Sequence, residues 1–190
     1  MYDKKITSNE PTLLVLLIDQ SVSMSEKMTE TEQGEVFSIA KIAKIISDTF
    51  LYEAWRECVR GNESKAYIDL AVIGYGEGTR SAIQKIPLEQ FPFSVKKLED
   101  TYFAKNDSDP DDDSTIPKPR LEWVEERADG LTPMLAAFTK ARDIVEKWLP
   151  DHQTSFPPII INISDGMPTD DHDFLEICQR SAQERSFHLG

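Results

Sequence analysis

The stretch LLVLLIDQSVSM, Leu13 to Met24, constrains this chain more than any other. Six consecutive aliphatic residues make a strand with no polar face, the pattern of a parallel strand covered on both sides. The run then ends abruptly in one acid and two hydroxyls, Asp19, Ser21 and Ser23, at alternate positions. Either these residues cap the next turn of chain, or the strand carries chemistry at its tip.

The rest of the chain supplies what such a strand needs. EVFSIAKIAKIISDTFLYEAWREC has Val36, Ile39, Ala40, Ala43, Ile46 and Phe50 at helical steps, with Lys41, Lys44 and Asp48 between them, and reads as one long helix. AYIDLAVIGYG is a second buried strand, and TRSAIQKIPLEQF holds a short edge strand limited by Pro87. PMLAAFTKARDIVEKWL is a helix with proline in its first turn. PPIIINISDG is a third buried strand, again ending in an aspartate; DHDFLEICQRSAQERS is a further helix, and SFHLG begins another strand. Strands alternating with helices give an α/β fold: a doubly wound, mostly parallel central sheet between two helical layers, with one antiparallel edge strand. Residues 1–190 make one domain, residues 95–127 form an irregular, acidic, proline-rich insertion, and the last sheet strands are expected beyond Gly190.

Charge narrows the partners. Lys and Arg total 21 against 34 for Asp and Glu, a formal charge of −13, which repels phosphate backbones and disfavours nucleic acid. The same excess attracts cations and basic surfaces. Cys58 and Cys178 lie far apart in helical segments and read as buried thiols. The longest apolar run is far too short for a bilayer, and the polar N-terminus carries no signal-peptide core, so the expectation is a cytoplasmic domain with no membrane contact.

In an open α/β sheet, ligands bind beyond the carboxyl ends of the strands. Asp19 and Asp165 both follow such ends, and Thr132 sits in the loop entering the helix between them. Asp19, Ser21, Ser23, Thr132 and Asp165 are all oxygen donors, with no thiol or imidazole among them. That set suits a hard dication, Mg²⁺ before Ca²⁺ or Mn²⁺. Two carboxylates with neutral hydroxyls leave the ion able to grip one more anionic oxygen.

DQSVSM, GLTPM and ISDGMPTD, in that order, resemble the three pieces of the metal-ion-dependent adhesion site of von Willebrand factor A domains. The short ISDGMPTDD form is closest to the intracellular bacterial A domains associated with tellurite resistance. The resemblance spans Leu13 to about Ser186. It implies that Ser21 and Ser23 bind the metal directly and that Asp19 and Asp165 act largely through water. Thr132 would bind directly or through water, and a partner protein's Asp or Glu would complete the octahedron. It also implies an interaction module without catalysis. Val22 departs from the pattern, standing where a small glycine often separates the serines.

Each residue also has a structural role open to it. Ser21, Ser23 and Thr132 are good helix caps, and Asp165-Gly166 is a common turn pair. A Mg²⁺-dependent phosphotransfer or hydrolase domain would gather acids at the same edge, yet DQSVS offers no second acid beside Asp19, and no lysine follows ISDG. A scaffold without metal is the third alternative. GYGEG, Gly74 to Gly78, lacks the helix that a dinucleotide fingerprint needs and reads as a flexible loop near the metal edge. DSDPDDD has neither the glycine nor the closing glutamate of a calcium loop. His152, His172 and His188 have no ligand-like spacing. Trp55 and Trp148 read as core, and Trp123, in the irregular stretch, is a candidate for facing a partner.

Overall fold

The computed structural model describes residues 5–30, 34, 36–61, 63–102, 122–166 and 168–169. In chain order its strands are β1 (Thr12–Asp19), β2 (Lys27–Glu30), β3 (Val36–Ser38), β4 (Val59–Arg60), β5 (Glu63–Ser64), β6 (Ile68–Gly76), β7 (Gly78–Ser81), β8 (Phe93–Ser94) and β9 (Ile159–Ile163). The helices are α1 (Ile39–Cys58), α2 (Lys96–Tyr102) and α3 (Met134–Trp148).

The fold is mixed α/β around a mostly parallel sheet ordered β7-β6-β1-β9. β1 pairs in parallel with β6 on one side and β9 on the other. β7 is the antiparallel edge strand, and β8 also pairs antiparallel with β6. Every residue of β1 is buried. Its side chains alternate between two cores, as the two-residue period of a strand requires. Leu14, Leu16 and Ile18 pack with Ala40, Ala43, Leu51 and Trp55 of α1. Leu13, Val15 and Leu17 pack with Ala137, Ala141, Ile144 and Trp148 of α3. The continuous apolar run is thus explained: neither parity of the strand meets water.

Several features differ from the sequence expectation. The long helix begins at Ile39, not at Glu35, because Ser38 caps it by accepting the Lys41 N–H at 3.1 Å. Val36 and Phe37, which continue the helical apolar period, instead pair with β2 in a small antiparallel hairpin. GYGEG is a tight hairpin between β6 and β7 with only Glu77 between the strands, not a flexible loop. β9 is only partly covered, because among the described residues it is the outer strand beside β1. The stretch 95–127 also contributes more than an insertion. Val95, Leu98, Trp123 and Val124 are core residues, and Lys96–Tyr102 is helical.

Trp123, a candidate for a partner surface, has no exposed area. Asp48, expected on the polar face of α1, is the reason the chain returns there. It is buried, and its Oδ1 accepts the N–H groups of Trp123 at 3.1 Å and Val124 at 2.9 Å. Lys44 Nζ lies 2.7 Å from Asp48 Oδ2. Trp55 and Trp148 are core residues, one in each cluster, and Cys58 is a buried free thiol. His152 stacks on Trp148 with ring centroids 4.0 Å apart. The helix from Asp171, the strand at SFHLG, Cys178, His172, His188 and the DSDPDDD run lie outside the described residues. No helix among the described residues is long and apolar enough to cross a membrane.

Candidate metal centre at the strand tips

Strand register builds the site. In the parallel pairings Ile18 aligns with Ile163 and Asp19 with Tyr75, so the chain leaving β9 meets the end of β1 directly. Asp19 is 1% exposed. Its Oδ1 accepts the Ser21 N–H at 2.9 Å, and its Oδ2 accepts the Ser164 hydroxyl at 2.8 Å. Among the described residues no lysine, arginine or histidine forms an ion pair with Asp19. A buried carboxylate met only by neutral donors has an electrostatic demand left unanswered.

The two serines face each other and the second acid. Ser21 Oγ and Ser23 Oγ are 3.0 Å apart, and Ser23 Oγ donates to Asp165 Oδ1 at 3.1 Å. Ser23 gives its proton to that bond, so Ser21 is the donor within the serine pair. Four of the five expected residues, Asp19, Ser21, Ser23 and Asp165, therefore stand together. Ser21 precedes a short 3-10 turn, Val22–Ser25, but its side chain forms no cap hydrogen bond there.

Thr132 reaches the edge through its backbone. The loop before α3 is tied to the DQSVS loop by Val22 N–H to Gly130 O at 3.1 Å and Asp129 N–H to Gln20 O at 2.7 Å. Thr132 N–H donates to Thr169 Oγ1, and Thr169 N–H to Thr132 O, each at 3.0 Å. The Thr132 side chain does not cap α3, whose N-cap position is Pro133. Among the described residues its hydroxyl forms no hydrogen bond with the other four.

Glycines let these loops approach. A side-chain carbon on Gly76 would meet the carbonyl oxygens of Gln20 and Asp129, both at 2.5 Å. Gly130 has φ +71°, and a Cβ there would lie 2.5 Å from Glu77 N. Within GYGEG, Gly76 thus serves close packing of the loops.

A polar network that sequence alone did not single out braces the loops from behind. Arg80 of β7 donates through Nε to Gln20 Oε1 at 3.0 Å and through Nη2 to Asp129 Oδ1 at 2.7 Å. Gln20 Nε2 donates to Glu125 O at 2.8 Å. The Arg80 guanidinium holds the Asp129 carboxyl below its usual range. Tyr75 donates to Asn162 Oδ1 at 2.9 Å. Burial first, and then the charge of Asp19, push its phenol above the ordinary tyrosine range, so it stays protonated. Ser164, Thr169, Gln20 and Arg80 are the residues that sequence reasoning missed. Ser164 and Thr169, lying within ISDGMPTD, and Gln20, within DQSVSM, had a local signal; Arg80 had none.

The side chains brought together here, two carboxylates and the hydroxyls of Ser21 and Ser23, offer oxygen without nitrogen or sulfur, which fits a hard cation. Among the described residues no group of three or more His, Cys, Asp or Glu is placed to hold a metal ion; the candidate cluster has two acids, and its other donors are hydroxyls.

No family model matches the chain. No curated protein matches it either. Among solved structures it is similar to an uncharacterised membrane-spanning protein of Vibrio fischeri, at 11% identity and a TM-score of 0.37, covering 73% of this chain and 51% of that one. The chain thus spans about half the length of that structure, and a likeness so loose carries no inference about function.

Proposed function

We propose that this chain is a metal-dependent protein-interaction domain of the von Willebrand factor A type. Its fold would be the doubly wound, three-layer α/β/α form, supported by the separate cores that β1 shares with α1 and with α3. Asp19, Ser21, Ser23, Thr132 and Asp165 would hold a Mg²⁺, with Ca²⁺ or Mn²⁺ as substitutes. When bound, the ion supplies an electrophilic contact for a partner's Asp or Glu.

One observation carries the proposal: Asp19 is buried, accepts two neutral hydrogen bonds and forms no ion pair among the described residues, while two hydroxyls and a second acid converge beside it. This chain's own residues do the positioning. Ser164 orients Asp19, and Thr169 with the Gly130 loop sets Thr132. Both oxygens of Asp19 are engaged, which suits an anchor better than a nucleophile, so the domain binds and does not catalyse. Nucleic acid and membrane are not its partners in this proposal, and its setting is the cytoplasm.

Calorimetric titration of Mg²⁺ tests it. Binding heat and a melting shift reversed by EDTA are expected for the native chain, and neither for Asp19→Ala. Absence of both in the native chain would remove the metal proposal and leave a structural scaffold. Turnover of a generic phosphate ester in Mg²⁺, lost in Asp165→Ala, would replace binding with hydrolysis.

A further inference from the structure

The loops that present the hydroxyls also present two aliphatic side chains to water. Val22, between Ser21 and Ser23, is 59% exposed, and Leu131, beside Thr132, is 69% exposed. The Val22 N–H to Gly130 O hydrogen bond joins their loops at adjoining residues. Neither loop lacks a route to the core, since Met24 and Met134, two and three positions on, are buried at 0% and 5% exposure. Both loops turn one apolar residue inward and leave another exposed next in sequence to a residue of the candidate site.

We propose that Val22 and Leu131 form an apolar ledge selecting partners whose metal-seeking Asp or Glu is adjacent to an aliphatic or aromatic residue. This rests on the proposed metal centre and adds the partner's chemistry to it. Glu77, an exposed acid, lies against the Gly130 loop at the same edge, while Arg80 is already engaged with Gln20 and Asp129. An occupant therefore presents one carboxylate at its centre, an apolar neighbour against the ledge, and basic residues around them. A second copy of this chain, at −13, is the wrong occupant, because like charge opposes its approach.

Selection from a randomised heptapeptide display library on the full 190-residue chain tests this, run in Mg²⁺ and in EDTA. In Mg²⁺, recovered peptides should carry Asp or Glu beside Leu, Ile, Val, Phe or Met, and synthetic versions should bind about tenfold tighter than the same peptides with glycine at the apolar position. The Val22→Gly/Leu131→Ser double variant, with Mg²⁺ affinity by calorimetry unchanged, should still select the acid but lose the apolar preference. Acidic peptides with no apolar preference, an unchanged preference in the double variant, or no recovered peptides would overturn the ledge. Equal recovery of acid-apolar peptides in EDTA would uphold the ledge and overturn the metal centre instead. A concentration-dependent dimer abolished by the double variant would assign the ledge to self-association and overturn the proposal.

Discussion

Asp19 and Ser164 lie 145 positions apart in sequence, yet the Ser164 hydroxyl donates to Asp19 Oδ2 at 2.8 Å. That bond locks the tip of β1 to the exit of β9 and keeps a buried carboxylate aimed along the strand edge. An asparagine in place of Asp19 could keep both partners, because the Ser164 hydroxyl can rotate to accept from an amide. Asp19→Asn should therefore raise metal-free stability by about 1 kcal/mol through loss of a buried charge. It should also abolish the stabilisation by Mg²⁺, about 2.7 kcal/mol at a hundredfold excess over Kd. Urea melts with and without Mg²⁺ measure both effects, and a variant that still responds to Mg²⁺ would contradict the role given to Asp19.

Gly76 and Gly78 should behave differently although both belong to GYGEG. Gly76→Ala forces a methyl against two carbonyl oxygens at 2.5 Å, so it should cost about 2–4 kcal/mol and loosen the loop carrying Thr132. Gly78→Ala meets no atom within 4 Å and is strained only by its φ of +79°, about 1 kcal/mol. Chemical denaturation of the two variants ranks them.

Arg80 braces the candidate site without belonging to it. Arg80→Met removes the donors to Gln20 and Asp129 together. The expected result is Mg²⁺ affinity lowered about tenfold, with the isolated Asp19, Ser21 and Ser23 contacts left in place. Titration calorimetry gives the affinity, and unchanged Mg²⁺ binding would show that the loop needs no brace.

Two acids should give pH dependences of opposite sign. Burial pushes the folded-state pKa of Asp48 above its ordinary 3.8, against the pull of Lys44 and two backbone N–H groups. Its folded state binds the proton more readily, so its contribution to stability is greatest below 3.8 and falls as pH rises through the folded value. Asp129 is the reverse case: Arg80 lowers its pKa, so its contribution is present above 3.8 and is lost as pH falls through the lower folded value. Stability against pH for Asp48→Asn and Asp129→Asn, each compared with the native chain, should lose slopes of opposite sign.

The central strand is legible because burial on both faces writes itself into sequence as an unbroken aliphatic run, as in Leu13–Ile18. Asp19, Ser21, Ser23 and Asp165 are legible for a related reason: polar residues immediately after such runs must emerge at one edge of a parallel sheet. Val36 reads as helical because its spacing continues that of α1, while the Ser38 cap and pairing with β2 decide the boundary. The burial of Trp123 is not legible because it depends on Asp48, 75 positions earlier, and no local pattern records such a partner. The bracing contacts of Gln20 and Arg80 are invisible for the same reason, since only the folded chain creates them, although Gln20 itself lies within DQSVSM.

Alternate residues of β1 serve opposite sides of the sheet, and this has a thermodynamic consequence. A strand common to both cores leaves neither side able to melt alone, so unfolding should be one cooperative event. Trp55 and Trp148 lie in the separate clusters and would report it independently. Coincident melting curves from single-tryptophan variants would mark β1 as the element through which strain at the Asp19 tip reaches α1 and α3 together.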